Sequence, residues 1–316
     1  MASERNTILT QSSMGCIQEC ACKYNLRYNE GYESIDRPEA LTVGTAFHAG
    51  VEAFRKHGTI DTFAVNAMLN GLESDHRCLV TAMLKAYTDR YADDDWTYDA
   101  VEKQLHVVNP LDCDGVDIRG VADAIVLIGG RRYLVETKTT ARIDGTYLES
   151  LWYKRQTLMY SWLLDDIAGV IYDLIQKPSI RRLKATPEEK RKYTKDGMLN
   201  ARQRAVDESD EEYSARLDDW YELRPEALHR ETVIHSEAQI QMFEADISGV
   251  AALVKHFERE GHWPRSLSAC FAYGRPCEFA LFCQSNNSQM ILDTHFQKRE
   301  RPHPELEEED DSTNTK

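Results

Sequence analysis

The sequence predicts an α/β protein, and three features of its 316 residues support this class. Two helical patterns come first, three extended segments follow, and a helix, a short apolar strand and a last helix come after them. A hydrophobic fraction of 42% is ample for a large core. We therefore expect a single domain over residues 1–300, with its core at about 97–176 and 230–260.

Two helices are predicted before the first strand of this core. The segment GTAFHAGVEAFRKHG places Phe47, Val51 and Phe54 at helical spacing, and Gly58 stands where the helix would end. A second long helical pattern covers residues 73–91. Both helices therefore belong to the N-terminal part of the domain.

Three extended segments follow these helices. The stretch YDAVEKQLHVVNP is typical of a strand that stops at Pro110. Residues 117–128 and 131–139 are two apolar β-runs, and Gly129 and Gly130 between them predict a hairpin with a two-residue turn.

The second half of the chain alternates helices with strands. The predicted elements are a helix at 147–165, a strand at 170–176, a strand at 232–235 and a helix at 237–260. Residues 178–228 are polar and charged, and they predict an inserted pair of helices. A cysteine-bearing loop at 270–283 closes the domain.

Three charged residues interrupt the apolar hairpin GVADAIVLIGGRRYLVETKTT. If Ile128 faces Arg131 across the turn, Asp123 lies directly opposite Glu136, with Cβ atoms roughly 4.5–5.5 Å apart. Lys138, two residues further on, points to the same side. Carboxylates this close repel unless a cation lies between them, and Mg²⁺ binds one or two carboxylates while keeping water positions open. A solvated edge strand is the alternative, which the apolar neighbours disfavour.

A metal between these carboxylates favours hydrolytic chemistry. Metal-bound water becomes a nucleophile near neutral pH, and Lys138 would orient that water or neutralise the charge that develops at phosphorus. The spacing therefore indicates hydrolysis of a phosphate ester.

The motif from Gly120 to Asp123, followed after a short hairpin by Glu136-Thr-Lys138, resembles the GxxD…ExK core of the PD-(D/E)XK nucleases. This resemblance implies a restriction-endonuclease-like α/β core, in which a mixed sheet is flanked by helices. It also implies catalytic roles for Asp123, Glu136 and Lys138, and contact of the Thr137 backbone carbonyl with the metal, Mg²⁺ or Mn²⁺.

Two further features resemble the RecB-like branch of these nucleases. His48 in GTAFHAGVEAF matches its helical metal-ligand histidine, and Gln156 and Tyr160 in KRQTLMYSWLL match its QxxxY helix, which positions the DNA strand near the metals. A lone histidine on a helix is often only a packed or capping residue, and residues four apart on a helix can simply be neighbours on one face. The order of all four elements favours the nuclease interpretation.

Cysteines bracket the predicted core, in CIQECACKYNLRY near the N-terminus and CFAYGRPCEFALFC near the C-terminus. This arrangement resembles the iron–sulfur nucleases, including CRISPR-associated and many phage exonucleases. In these, one N-terminal and three C-terminal cysteines hold a [4Fe–4S] cluster. The resemblance implies Cys20, Cys270, Cys277 and Cys283 as ligands that clasp the two ends of the chain together.

Two departures from the family pattern leave alternatives open. Ala21 stands where the family usually has proline, so Cys16 or Cys22 could replace Cys20 as the N-terminal ligand. Six residues separate the first two cysteines of CFAYGRPCEFALFC, whereas the paired ligands of zinc sites are usually two to four apart. Zinc and free buried cysteines remain the alternative interpretations.

The resemblance implies a DNA exonuclease that acts on single-stranded DNA or DNA ends in phage or bacterial replication, recombination or repair. A helicase or a recombinase is the implied partner. The alternative function is a non-catalytic DNA-binding or assembly factor that keeps the fold and the cluster. The first fifteen residues lack a signal-peptide pattern and no eighteen-residue apolar run occurs, so we expect a cytoplasmic protein with no membrane segment.

Charge is unevenly distributed along the chain. The formal net charge is −15, yet residues 177–204 hold ten Lys/Arg against three Asp/Glu, which predicts a local basic groove for phosphates. A solvated helical hairpin is the alternative. The acidic tail at 301–316 is expected to be disordered. From charge alone, the candidate DNA contacts are Arg142, Lys154, Arg155, Arg181 and Arg182.

Overall fold

A mixed, six-stranded sheet forms the centre of the domain in the computed structural model, which describes residues 6–35, 39–60, 69–108, 115–164, 166–272, 274–304 and 306. The strands are β1 (Thr7–Leu9), β2 (Tyr32–Ser34), β3 (Thr97–Val108), β4 (Val116–Ile128), β5 (Arg131–Thr140), β6 (Ile167–Gln176), β7 (Leu228–Val233), β8 (Phe271–Ala272), β9 (Arg275–Pro276) and β10 (Phe296–Lys298). The central sheet contains β1 and β3 to β7.

The long strand β4 has three partners. It runs antiparallel to β3 along one edge, antiparallel to β5 near its C-terminal end, and parallel to β1 at Val116–Ile118. Because β3 occupies one edge, β1 and β5 share the other. Among the described strands, none pairs with residues 119–123 on that shared edge, and this gap is where the candidate site opens.

The hairpin of β4 and β5 has the predicted register. Gly129 and Gly130 have positive φ angles of 57° and 76°, as a type I′ turn requires. Pairing then runs from Ile128–Arg131 to Ala124–Val135. β5 continues in parallel with β6, and β6 pairs antiparallel with β7, so the predicted α/β class with a mixed sheet is confirmed.

Helices cover both faces of this sheet. They are α1 (Gln11–Glu19), α2 (Ala21–Tyr24), α3 (Glu39–His57), α4 (Ser74–Tyr91), α5 (Gly145–Leu151), α6 (Arg155–Leu163), α7 (Asp210–Glu222), α8 (Glu237–Glu260), α9 (Ala280–Gln284) and α10 (Gln289–His295). Buried side chains of α1, α6 and α8 pack with one face, and those of α3, α4 and α7 pack with the other.

The last long helix, α8, occupies the predicted residues. Ser236 accepts a hydrogen bond from the Gln239 backbone and Gln239 reciprocates, which forms a capping box. Gly261 ends the helix in the left-handed conformation, with φ of 62°. Its buried face, including Phe243, Ile247 and Val254, anchors the helix against the sheet.

The helix predicted at 147–165 is two helices, α5 and α6. Lys154 adopts an extended backbone, with φ of −79° and ψ of 113°, and this break separates them. Tyr153 within the break is 83% exposed. The change of direction matters for the site because it brings Tyr160 against Gly120.

The insertion predicted as a helical pair contains one α-helix, α7, preceded by a mostly irregular segment with a short 3₁₀ turn at Glu188–Lys190. Prolines at 178 and 187 and a positive φ at Gly197 oppose a first helix. Asp207 and Glu208 side chains accept hydrogen bonds from backbone N–H groups that a helix would otherwise use. The strand predicted at 232–235 starts earlier, as β7.

The C-terminal part of the domain extends beyond residue 300, the predicted end of the domain. β10 pairs antiparallel with β2, and His303 stacks on Tyr28 with ring centroids 5.1 Å apart. The acidic part of the predicted disordered tail, like Pro110, lies outside the described residues. None of the described helices has the length and apolar content needed to span a bilayer.

Candidate active site

The edge of β4 and β5 next to the gap brings three predicted catalytic residues together. Asp123 Oδ2 accepts a hydrogen bond of 2.8 Å from the Thr137 backbone N–H, just beyond the last regular backbone pair. Lys138 Nζ lies 2.5 Å from Glu136 Oε1. The alternation of β5 places Glu136 and Lys138 on one face and Thr137 on the other.

Glu136 is the most unusual of these groups, because its carboxylate is buried and lies against the Lys138 ammonium. The residue is 1% exposed, and neither Oε1 nor Oε2 has a hydrogen-bond partner of acceptable geometry. Burial, followed by the negative charge of Asp123, raises the pKa of Glu136 to about 8. These two effects outweigh the opposing effect of Lys138. A bound cation would supply the missing stabilisation of the ionised form.

Metal-free protein should lose stability as pH rises, because the folded state favours protonated Glu136. Its pKa rises from 4.5 to about 8 on folding, so this contribution is complete below about pH 4.5 and is lost as pH approaches 8. The loss is about 1.4 kcal/mol per pH unit at most. The test is thermal unfolding of both proteins in chelator between pH 5 and 8. The stability of Glu136→Gln relative to the wild type should increase as pH rises. A stability difference that does not change with pH would contradict this.

His48, on α3, lies near the same Asp123 oxygen that accepts the hydrogen bond from the Thr137 N–H. Its Nδ1 is 3.7 Å from Asp123 Oδ2. Partial burial lowers the pKa of His48, and this effect outweighs the attraction of Asp123. The imidazole is therefore neutral near pH 7, which is the form that binds metals.

The QxxxY residues of α6 complete the site. Gln156 Oε1 accepts a hydrogen bond of 2.8 Å from Lys138 Nζ, and Gln156 Nε2 is 3.4 Å from the Tyr160 hydroxyl. Gln156 therefore holds Lys138. A cavity of about 220 Å³ opens at this point, lined by Thr10, Gln11, Ser12, Glu102, Gly120, Val121, Asp123, Gln156 and Tyr160.

Gly120 is required for the close approach of α6. A Cβ atom here would lie 2.5 Å from Tyr160 Cε1 and 2.9 Å from Met159 Cε. We expect Gly120→Ala to destabilise the protein by about 1–3 kcal/mol, because the helix must move away from the strand. Urea unfolding measures this loss. Gly145→Ala, at a glycine whose added Cβ meets nothing within 4 Å, is the control and should change stability far less.

Glu102 and the start of α1 are parts of the cavity that sequence reasoning missed. The pairs Val101–Ala124 and Lys103–Ala122 put Glu102 across from Asp123, and its φ of 53° is rare for a residue other than glycine. Burial and the charge of Asp123 raise the pKa of Glu102 to about 7. Only the register of β3 on β4 identifies this residue, and no motif marks it in the sequence.

Comparison with known proteins decides the family. A family model described as "PD-(D/E)XK nuclease superfamily" matches residues 8–284. The chain belongs to the PD-(D/E)XK nuclease superfamily. A solved structure described as "Crystal structure of SSO0001" is similar, with 13% identity and a TM-score of 0.35, covering 88% of this chain and 84% of that chain. The curated proteins gave no match.

Membership of this superfamily implies a nuclease that binds DNA, and such nucleases usually use Mg²⁺ or Mn²⁺. Within the described part of the chain, no three His, Cys, Asp or Glu side chains have the mutual geometry of a formed metal site. The donor set nevertheless fits a hard divalent cation, because the Glu136 oxygens lack hydrogen bonds and Asp123 and neutral His48 lie next to one another.

The four cysteines that were predicted to hold an iron–sulfur cluster line one cavity. The walls include Cys20, Cys270, Cys277 and Cys283 together with two cations, Lys23 and Arg265. The Ser266 N–H donates to Cys20 Sγ at 3.4 Å, and the Cys277 N–H donates to the Cys270 carbonyl at 2.8 Å. Thiols from both ends of the chain therefore face the same space.

The two alternative N-terminal cysteines occupy different positions. Cys16 is buried in the main core, and burial raises its pKa to about 12. Cys22 borders a separate apolar cluster with Cys283, and its thiol interacts with that of Cys283. Of the three candidates, Cys20 is the one in the cavity wall.

The candidate DNA contacts differ in how far they are free to meet a phosphate. The side chain of Arg182 is 9% exposed and pairs with Asp75 at 2.6 Å and Asp210 at 2.8 Å. Its guanidinium is thus held by two carboxylates of the protein, which disfavours the predicted role of Arg182 as a DNA contact. Arg142 pairs with Asp144, while Lys154 and Arg181 are exposed.

Much of the positive charge at 177–204 is paired within the protein. Lys184 lies 3.3 Å from Asp207, and Arg204 pairs with Glu212 at the start of α7. Arg155, on α6, donates to Gln18. The acidic residues that follow the basic segment therefore neutralise part of it, and the predicted basic groove is weaker than its composition suggested.

Proposed function

We propose that this chain is a RecB-like, Mg²⁺- or Mn²⁺-dependent DNA exonuclease. The observation that carries the proposal is the buried Glu136 carboxylate, whose close charged neighbours are Lys138, 2.5 Å from Oε1, and Asp123. Burying a carboxylate is costly, and the single ion pair with Lys138 offsets only part of that cost. A cation at this point makes the arrangement favourable.

In this proposal, His48, Asp123, Glu136 and the Thr137 carbonyl hold the divalent cation. When bound, the cation lowers the pKa of a water molecule and polarises the scissile phosphate. Lys138 directs its ammonium group toward that water and toward the charge that develops on the phosphate.

Gln156 and Tyr160 position other groups: Gln156 orients Lys138, and Tyr160 guides the DNA strand. Gln156 accepts a hydrogen bond from Lys138, which fixes the ammonium group while its remaining donors stay available. Tyr160, next to Gly120, forms the wall along which the DNA strand would enter. Gln11 and Ser12, at the start of α1, line the same cavity.

We further propose that Cys20, Cys270, Cys277 and Cys283 hold a [4Fe–4S] cluster. Four thiols lining one cavity equal the number of ligands in a Cys₄ cluster, which supports the proposal, and Lys23 and Arg265 would offset its negative charge. Zinc is the alternative metal for the same four thiols. The cluster would connect residues near position 20 to the loop at 270–283, the two segments that line this cavity.

The experiment for the exonuclease activity compares linear and circular single-stranded DNA of one sequence in Mg²⁺. An exonuclease degrades the linear DNA from an end and leaves the circle intact, and labels at the 5′ or 3′ end report the direction of degradation. Equal rates on both forms would support an endonuclease. No cleavage of either in Mg²⁺ or Mn²⁺ would contradict the proposal.

Neighbouring arginines should respond differently to substitution. Arg182→Ala should lower the melting temperature without changing the salt dependence of DNA binding, because its partners are Asp75 and Asp210. Arg181→Ala should leave the melting temperature unchanged and flatten the log–log salt dependence by about 0.9, if Arg181 contacts one phosphate. Titrations at several salt concentrations measure both slopes. A flattened slope for Arg182→Ala would reinstate it as a DNA contact.

A further inference from the structure

A buried charged network lies directly behind the candidate metal site. Arg55 Nη2 donates to Thr137 Oγ1 at 2.8 Å and to Asp173 Oδ2 at 3.1 Å. The Tyr87 hydroxyl donates to the same Asp173 oxygen at 2.7 Å. The side chains of Arg55 and Asp173 are 2% and 0% exposed, so this contact is isolated from solvent.

The network joins three elements that carry the site. Arg55 is on α3, seven residues after His48, and two helical turns place both side chains on the same face of that helix. Thr137 stands between Glu136 and Lys138 on β5 and points to the opposite face of the strand. Asp173, on β6, is the registered neighbour of Thr137.

Two further charged residues, Arg230 and Asp94, belong to the same network. Arg230 Nε lies 3.4 Å from Asp173 Oδ1, and its other end pairs with Asp94 at 2.7 Å. Its guanidinium stacks between the rings of Tyr91 and Trp96, at 3.6 and 3.7 Å from their centroids. Two arginines and two aspartates thus neutralise one another under the sheet.

Such a network is a poor source of stability, because desolvating the charges offsets much of their attraction. A buried ion pair of this kind is better suited to fixing geometry. We infer that Arg55 is a positioning residue, which sets the Glu136–Lys138 segment at the distance from His48 that a shared metal requires. The Thr137 hydroxyl accepts the hydrogen bond through which Arg55 acts on β5. Asp173 accepts a second hydrogen bond and holds the Arg55 guanidinium in place. The inference rests on the proposed metal site.

The test is direct Mn²⁺ binding, measured by electron paramagnetic resonance on the intact protein without DNA. Only the bound signal that Glu136→Ala removes is counted, so other sites do not contribute. Arg55→Lys keeps a charge for Asp173 but lacks the forked donors that also reach Thr137. We expect Arg55→Lys to weaken Mn²⁺ binding at least fivefold. Thr137→Val, which buries no unpaired charge of its own, should do the same.

Leu217→Ala is the matched control for lost stability. Leu217 is fully buried in the same helical layer but belongs to α7, and its truncation should cost about 2–5 kcal/mol. Mn²⁺ affinity of this control should stay within twofold of the wild type. The inference is overturned if Arg55→Lys and Thr137→Val bind Mn²⁺ like the wild type, or if Leu217→Ala weakens binding equally. A wild type without the Glu136-dependent signal would overturn the proposed metal site itself.

Discussion

Glu136→Gln and Lys138→Ala should each reduce Mg²⁺-dependent DNA cleavage by at least about a hundredfold, the size of effect expected when one electrostatic contact to the transition state is lost. Glutamine has nearly the same shape as Glu136, so it fills the buried site but cannot supply the negative charge that holds the cation. Alanine at 138 removes the ammonium group that Gln156 orients. Cleavage rates under saturating enzyme measure both losses.

The controls separate catalysis from folding and from DNA binding. Lys85→Ala removes an exposed lysine of α4 that pairs with Asp89 and Asp218, and should leave the cleavage rate unchanged. DNA affinity of Glu136→Gln and Lys138→Ala, measured in Ca²⁺, should stay close to that of the wild type. If either variant kept near-normal turnover in Mg²⁺, the assignment of this edge of the sheet as the active site would be wrong.

Cys277→Ala or Cys283→Ala should bleach a brown protein and lower its melting temperature. Thiolate-held iron–sulfur clusters absorb visible light, and a lost ligand opens the connection between the two ends of the chain. Because binding energy at such a site is folding energy, the loss should exceed that of an ordinary cysteine substitution. Visible absorption, iron and sulfide analysis and thermal unfolding measure the effect.

Cys78→Ala provides the matched control for the cluster variants. Cys78 is buried on α4, in a different core cluster from the cavity, and its thiol faces the Asp210 carbonyl at 3.8 Å. Its substitution should leave the colour and metal content intact. Zinc without iron in the wild type would replace the cluster by a zinc site, and a colourless protein without either metal would remove the proposal.

Sequence reasoning performed well where the signal is local. The two glycines of the turn fix the register of β4 and β5, and the predicted pairing is observed from Ile128–Arg131 to Ala124–Val135, next to Asp123 and Glu136. The helix predicted at 237–260 likewise has the bounds of α8, and the structure shows that Ser236 and Gly261 cap it. In both places, short-range backbone geometry and the tertiary structure agree.

Features that depend on distant residues were missed. Arg182 has the same composition-level signal as Arg181, but only the fold shows that Asp75 and Asp210 surround it. The Arg55–Asp173 pair joins residues 118 positions apart, and no local pattern announces it. The sequence pattern did not predict the break between α5 and α6, because apolar residues occur on both sides of it. The break is visible only in the extended backbone of Lys154.

The most direct test of the account is release of acid-soluble nucleotides from linear DNA by purified wild-type protein, with and without divalent metal. We expect release in Mg²⁺ or Mn²⁺, none in chelator, and none from Glu136→Gln under any condition. Tight DNA binding by the wild type with no release in either metal would contradict the central claim, and would identify the protein as a non-catalytic DNA-binding factor built on a nuclease fold.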